Sequence, residues 1–169
     1  TALLNGILGS DQVTLGGTPT FTFASANAGS AIAITAAGYT ISGTGAVNYT
    51  VTQPTGLTAN ITPKALIISG SSIASKVYDG TTTAGAVTVG TISGLIGTET
   101  LGVSGSAANY SAKDVATYTT TITYTLANGT NGGIAANYSL ATTSASGAIT
   151  PLTITISGVG VADKTYDGT

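Results

Sequence analysis

No cysteine, histidine, methionine, tryptophan or arginine occurs in the sequence. Without cysteine there is no disulfide framework and no thiolate nucleophile, and without cysteine and histidine together no zinc site of the usual kind can be built. Charge is scarce as well. Charged residues make up 6% of the chain, the four basic residues are Lys64, Lys76, Lys113 and Lys164, and the six acids leave a formal net charge of -2. That leaves no basic footprint for phosphates, so nucleic acid is not an expected partner. No apolar run approaches the roughly 20 residues of a membrane-spanning helix, and membrane insertion is not expected either. The first residues, TALLNGILGS, have neither the basic start nor the continuous apolar stretch of a secretion signal, which reads as an interior fragment of a longer chain.

Val, Ile, Leu and Tyr recur in short clusters, which a disordered chain would lack. Their spacing is that of strands. Tyr118, Ile122, Tyr124 and Leu126 fall on one face of a strand, and Thr119, Thr121, Thr123 and Thr125 on the other. Leu152, Ile154 and Ile156 alternate with Thr153, Thr155 and Ser157, and Phe21 and Phe23 alternate with Thr20 and Thr22. All three segments read as half-buried strands. Asp79-Gly80, Asn128-Gly129 and Asn131-Gly132-Gly133 supply residues tolerant of positive φ and read as turns. About seven strands in each unit suggest an all-β fold of tandem Ig-like β-sandwich modules; a β-grasp-like module is the alternative, disfavoured because no segment carries helix caps followed by a 3.6-residue period.

The chain is also self-similar. Lys76-Val77-Tyr78-Asp79-Gly80-Thr81 returns as Lys164-Thr165-Tyr166-Asp167-Gly168-Thr169, the tyrosines lying 166 − 78 = 88 residues apart. Ile61-Thr62-Pro63 returns at the same offset as Ile149-Thr150-Pro151, and residues 5–11 align with 93–99. Asn48-Tyr49-Thr50-Val51 matches Asn137-Tyr138-Ser139-Leu140 one residue out of step. Residues 63–150 are then one complete repeat, 1–62 the C-terminal part of a preceding one, and 151–169 the first strand and Tyr-Asp-Gly element of the next. A unit this long can bury its own core, unlike the shorter units of solenoids.

Lys76 to Thr83, Asn109 to Val115, Ala136 to Leu140 and Gly147 to Pro151 together resemble the YDG-type repeat found in tandem in large bacterial adhesins similar to filamentous haemagglutinin. Residues 15–47 depart most from that pattern. The resemblance implies display at the bacterial cell surface in many copies, with neighbouring repeats of the same chain or identical chains as partners, and a host or neighbouring cell reached through other domains. It carries over no catalytic residues and no cofactor.

The structural motif predicted from these residues comprises Lys76, Tyr78, Asp79 and Gly80, with Lys164, Tyr166, Asp167 and Gly168 as its second copy. Asp79 and Gly80 are expected to form a turn, with Tyr78 packed against the adjoining module. A calcium site at Asp79 is the lesser reading, since a hard cation wants six or more oxygens and no Asp-x-Asp-x-Asp cluster exists. The lysines read as solvent-facing residues on an edge strand, in preference to partners in a Lys–Asn isopeptide bond. Five asparagines stand in Asn-x-Ser/Thr sequons and are candidates for glycosylation: Asn48, Asn60, Asn109, Asn128 and Asn137. The threonine row at 117–125 raises a polysaccharide- or ice-binding face, and the inventory offers nothing for an enzyme. The expected function is a structural stalk or spacer repeat of a secreted adhesin or filament. Its alternatives are a fibre subunit completed by strand addition between chains and a carbohydrate- or ice-binding module.

Overall fold

The computed structural model describes residues 2–169. The chain is all-β: twelve strands and two single 3-10 turns, at Ala46–Asn48 and Ala135–Asn137, are its regular elements among the described residues. It divides into two compact units interleaved along the sequence, one made of Thr1–Leu66, Gly94–Leu101 and Ala127–Ser139, the other of Ile67–Ser93, Gly102–Leu126 and Leu140–Thr169.

The first unit is built on β1 (Thr14–Phe23), β2 (Gly29–Ser42) and β3 (Leu57–Ile61), which form an antiparallel sheet in that order. Its register slips between Gly17 and Thr20 on β1. Gly17 (φ 92°) and Gly38 (φ 89°) face each other across this bulge, and a Cβ on either would run into the opposite backbone. Only glycine meets both demands. Ala36, Leu66 and Tyr138 are the buried apolar residues of this unit. Phe21 and Phe23, expected to be half-buried, are 54% and 40% exposed. Phe21 rests edge-on against Tyr39 with ring centroids 6.4 Å apart, and gains its contacts along the sheet instead of in a core.

In the second unit, β6 (Lys76–Val77), β12 (Thr143–Thr150), β10 (Ala116–Asn128) and β9 (Leu101–Ala107) form a sheet in that order, with β10 and β12 antiparallel. Strand β6 lies parallel to β12, Lys76 opposite Ile149 and Val77 opposite Thr150. Two smaller sheets complete the fold: β11 (Tyr138–Leu140), β4 (Lys64–Ser69) and β8 (Thr91–Ser93) in one, β5 (Ser72–Ile73) and β7 (Val87–Thr88) in the other. Ile73, Tyr110, Ile122 and Ile149 make the core, with Tyr78, Val87, Tyr118 and Tyr124 packed against it. The alternation of β10 is as expected from its sequence: Tyr118, Ile122, Tyr124 and Leu126 turn inward and Thr119, Thr121, Thr123 and Thr125 face out. Tyr118 stacks on Tyr110 with centroids 5.2 Å apart.

Three sequence expectations change here. The segment 64–150 holds nine strands, β4 to β12, several of only two or three residues, where about seven were anticipated. The turn after β10 takes its positive φ at Asn131 (54°) and Gly132 (86°), not at Asn128-Gly129; strand β10 runs through Asn128, whose side chain accepts a hydrogen bond from Ala135 N–H at 2.8 Å. Residues 151–169 form no strand at all. Ile154 and Ile156, expected to be half-buried, stand 86% and 89% exposed. Their alternation is that of a strand, but no described residue pairs with it.

Candidate functional site

The Lys-x-Tyr-Asp-Gly-Thr element is a closed local structure. Gly80 takes φ 77°, a conformation in which glycine avoids the penalty that a Cβ would carry. The turn brings Thr81 back over Asp79: Thr81 N–H and its hydroxyl donate to Asp79 Oδ1 at 2.9 and 2.8 Å. Lys76 Nζ bridges the same oxygen at 2.8 Å and also donates to Thr81 O at 3.0 Å and Thr81 Oγ1 at 2.9 Å. The hydrogen bond from Lys76 and then those from Thr81 hold the Asp79 carboxyl down to about 2. Lys76, expected at the surface, is folded over this turn with its side chain only 13% exposed. The arrangement spends the lysine's donors on Asp79 and Thr81.

Tyr78 does not reach toward a neighbouring repeat, as was expected. It packs on the core of its own unit, and its N–H donates to Thr150 O at 2.8 Å. The cause is the parallel pairing of β6 with β12, which brings Tyr78 to the cluster that includes Ile149.

The second copy of the element forms the same bonds without any core beneath it. Lys164 Nζ lies 2.8 Å from Asp167 Oδ1 and donates to Thr169 Oγ1 at 2.6 Å, Thr169 N–H reaches Asp167 at 3.1 Å, and Gly168 takes φ 84°. Asp167 is lowered for the same reasons, Lys164 first. Tyr166 is 93% exposed. Six residues therefore suffice to close the turn, while burial of the tyrosine needs the rest of a repeat.

A second constellation was not anticipated from the sequence. Tyr138, buried at the start of β11, donates its hydroxyl proton to Glu99 Oε2 and accepts from Ile96 N–H at 3.1 Å. The Glu99 carboxylate, and then burial, raise the Tyr138 hydroxyl above its ordinary pKa. Tyr49 does the same in the first unit's N-terminal part, donating to Asp11 Oδ2 at 2.8 Å and accepting from Leu8 N–H at 2.9 Å. Both loops carry a further bond from the acid's own N–H, Asp11 to Leu8 O and Glu99 to Ile96 O. Each tyrosine thus ties an acidic turn to the residues after a 3-10 turn. The signal lay in alignments already visible, Asp11 with Glu99 and Tyr49 with Tyr138; what the sequence could not show was that the two pairs meet. Beside the Tyr138–Glu99 pair a cleft of about 390 Å³ opens, with Asn27, Ile61, Lys64 and Asn137 among its walls.

The five sequon asparagines differ in their freedom. Asn48 and Asn109 are exposed. Asn60 Oδ1 accepts from Ala31 N–H, and Asn128 Oδ1 from Ala135 N–H, each at 2.8 Å. Asn137 is half-buried, its Oδ1 taken by Ala28 N–H and its amide nitrogen by Asn27 Oδ1. The threonine row on β10 meets serine and alanine on β12, Thr119 opposite Ser146 and Thr121 opposite Ser144, and Thr119 shares a hydrogen bond of 2.7 Å with Ser146.

Matching turns, matching tyrosine clamps and matching lysine brackets at an offset of 88 or 89 residues define an all-β repeat protein. Residues 1–56 and 62–145 each match the model of the YDG domain, and the chain belongs to the YDG domain family. No curated protein and no solved structure matches it.

Proposed function

We propose that this chain is part of a structural stalk: a run of β modules that hold other parts of a secreted bacterial surface protein away from the cell. The observation that carries this reading is the recurrence of one set of local geometries at a fixed offset, together with two successive matches to a single family. A long run of like modules adds length in equal steps. On this reading residues 63–150 are one module, organised as two facing layers of strands in the Ig-like manner, with 1–62 and 151–169 belonging to its neighbours. A surface rich in Thr, Ser, Asn and Gly and poor in charge suits a solvated extracellular rod whose modules pack on one another without like-charge repulsion. The reading assigns no catalysis, no cofactor and no nucleic acid; its partners are adjoining modules.

Small-angle scattering from polypeptides carrying two, three and four successive copies of residues 63–150 tests it. The maximum dimension should grow by a constant step per copy. A dimension that stays nearly constant as mass increases means the copies collapse on one another, and the spacer reading fails. Mild proteolysis of intact source cells checks display, since peptides from these residues should be released before any cytoplasmic protein.

A further inference from the structure

Three Asn-Gly pairs occur in the chain: Asn5-Gly6, Asn128-Gly129 and Asn131-Gly132. An asparagine followed by glycine can lose its side-chain amide without an enzyme. The glycine's backbone nitrogen gives up its proton to water and bonds to the asparagine Cγ, the Cγ–Nδ2 bond breaks, and ammonia leaves. Water then opens the five-membered imide at one of its two carbonyls, giving either aspartate or isoaspartate, in which the backbone runs through Cγ. No oxidant or cofactor takes part, and glycine favours the step because no Cβ crowds the attacking nitrogen. The fold decides which pair is free to react.

Asn128 is held back. It ends β10, its Oδ1 accepts from Ala135 N–H at 2.8 Å, and the nitrogen that would attack is engaged, Gly129 N–H donating to Gly133 O at 2.9 Å. Thr100 O occupies the place a Cβ on Gly129 would take, so this backbone has no room to turn. Asn131-Gly132 is the reverse in each respect. Both residues are exposed, Gly132 has open space about it, and its N–H makes no hydrogen bond among the described residues. Asn131 stands in the left-handed region (φ 54°), at the tip of the turn and outside the strand ladder. A single bond restrains its side chain, from Nδ2 to Thr98 O at 3.0 Å.

That bond is also what the reaction removes. It fastens the turn to residues 98–100 beside three others: Thr130 N–H to Thr100 Oγ1 at 2.8 Å, Thr100 N–H to Thr130 O at 3.2 Å, and the contact of the two threonine hydroxyls at 2.8 Å. A carboxylate in place of the amide has no proton to offer Thr98 O, and it sets a negative charge against a carbonyl oxygen in the loop that carries Glu99. Asn5 is exposed and makes no hydrogen bond among the described residues, so its conversion unfastens nothing.

We propose that Asn131-Gly132 is a self-modification site, where spontaneous deamidation loosens the 129–133 turn from residues 98–100 as the protein ages. The reaction needs only water and does not depend on the spacer role.

Incubation of the folded 169-residue polypeptide in warm, mildly alkaline buffer, with peptide mass spectrometry at intervals, tests the rate. Asn131 should convert about 10-fold or more faster than Asn128, whose side-chain and glycine hydrogen bonds must both break before the ring can close. In denaturing urea the two should convert at like rates, which assigns the difference to the fold. Asn131 converting no faster than Asn128 in the folded chain overturns the proposal. Asn131→Asp carries the charge of the product and keeps the turn, since aspartate tolerates the left-handed region. In this variant hydrogen exchange at the Thr100 and Thr130 amides should speed up by about 5-fold or more, with β12 unchanged. Exchange unaltered at both amides also overturns it.

Discussion

Replacing Gly147 with alanine puts a methyl group into the tightest place in the second unit's core. Gly147 is buried on β12, and a Cβ there would collide with the Tyr110 hydroxyl oxygen, lie 2.9 Å from Ile73 Cγ2 and lie 3.2 Å from Ile73 Cβ. Two effects compete. Alanine is favoured over glycine in a strand by roughly 0.5–1 kcal/mol of backbone entropy, whereas an added methyl in a filled core costs about 1–3 kcal/mol. The second wins here, because Ile73 Cβ sits next to the backbone and cannot swing aside and Tyr110 is pinned against Tyr118. Gly147→Ala should therefore lower the unfolding free energy by about 2 kcal/mol. Tyr110→Phe removes the oxygen that a new methyl would strike; alone it should cost about 0.5–1 kcal/mol, since that oxygen's bond from Gly85 N–H is long, at 3.4 Å. Combined, the two changes should cost about 1 kcal/mol less than their sum, with the Ile73 contact leaving the rescue incomplete. Urea denaturation followed by far-ultraviolet circular dichroism and by tyrosine emission, clean in a chain without tryptophan, reads all four corners of the cycle. Strict additivity, or a neutral Gly147→Ala, refutes the packing described for this strand.

Ile122→Ala, which empties a fully buried site among Ile73, Tyr110 and Ile149, should cost about 2–5 kcal/mol by the same denaturation assay. For the turn, NMR titration should find Asp79 with a midpoint near 2, moving toward the ordinary 3.8 in Lys76→Gln. Because the folded-state value is the lower one, the stabilisation linked to Asp79 is complete above about pH 4 and disappears as pH falls toward 2. A Lys76→Gln chain should lose part of that acid sensitivity, the bonds from Thr81 remaining. Gly80→Ala has open space for its methyl but a φ of 77°, and should cost about 1 kcal/mol from backbone strain alone. Tyr138→Phe and Tyr49→Phe each remove one clamp; hydrogen exchange should speed up at the Ile96 amide in the first and at the Leu8 amide in the second, with β10 and β12 unchanged.

The all-β character and the facing of β10 were legible because alternation of Tyr, Ile and Leu with Thr is a one-dimensional signal with a period of two. The Asp79-Gly80 turn was legible for a related reason: its bonds join residues no more than five apart. Burial was not. Phe21-Thr22-Phe23 and Ile154-Thr155-Ile156 alternate as faithfully as Tyr124-Thr125-Leu126, yet only the last lies inward, because burial depends on a partner surface that a strand's own pattern does not encode. The tyrosine clamps stayed hidden because Tyr138 and Glu99 lie 39 positions apart and either could have found another partner. Tyr78 was misassigned for lack of one fact, the parallel pairing of β6 with β12.

That pairing also sets the order in which a repeat can fold. Val77 waits for Thr150, and Ile73 for Ile149, so the core closes only when the last strand is available. Contacts this distant in sequence make folding slow, and until they form Ile73 and Tyr78 have no core to cover them. In a chain of similar repeats the nearest wrong β12 belongs to the neighbour. Sequence differences between such repeats would then favour closure within one repeat over exchange between two.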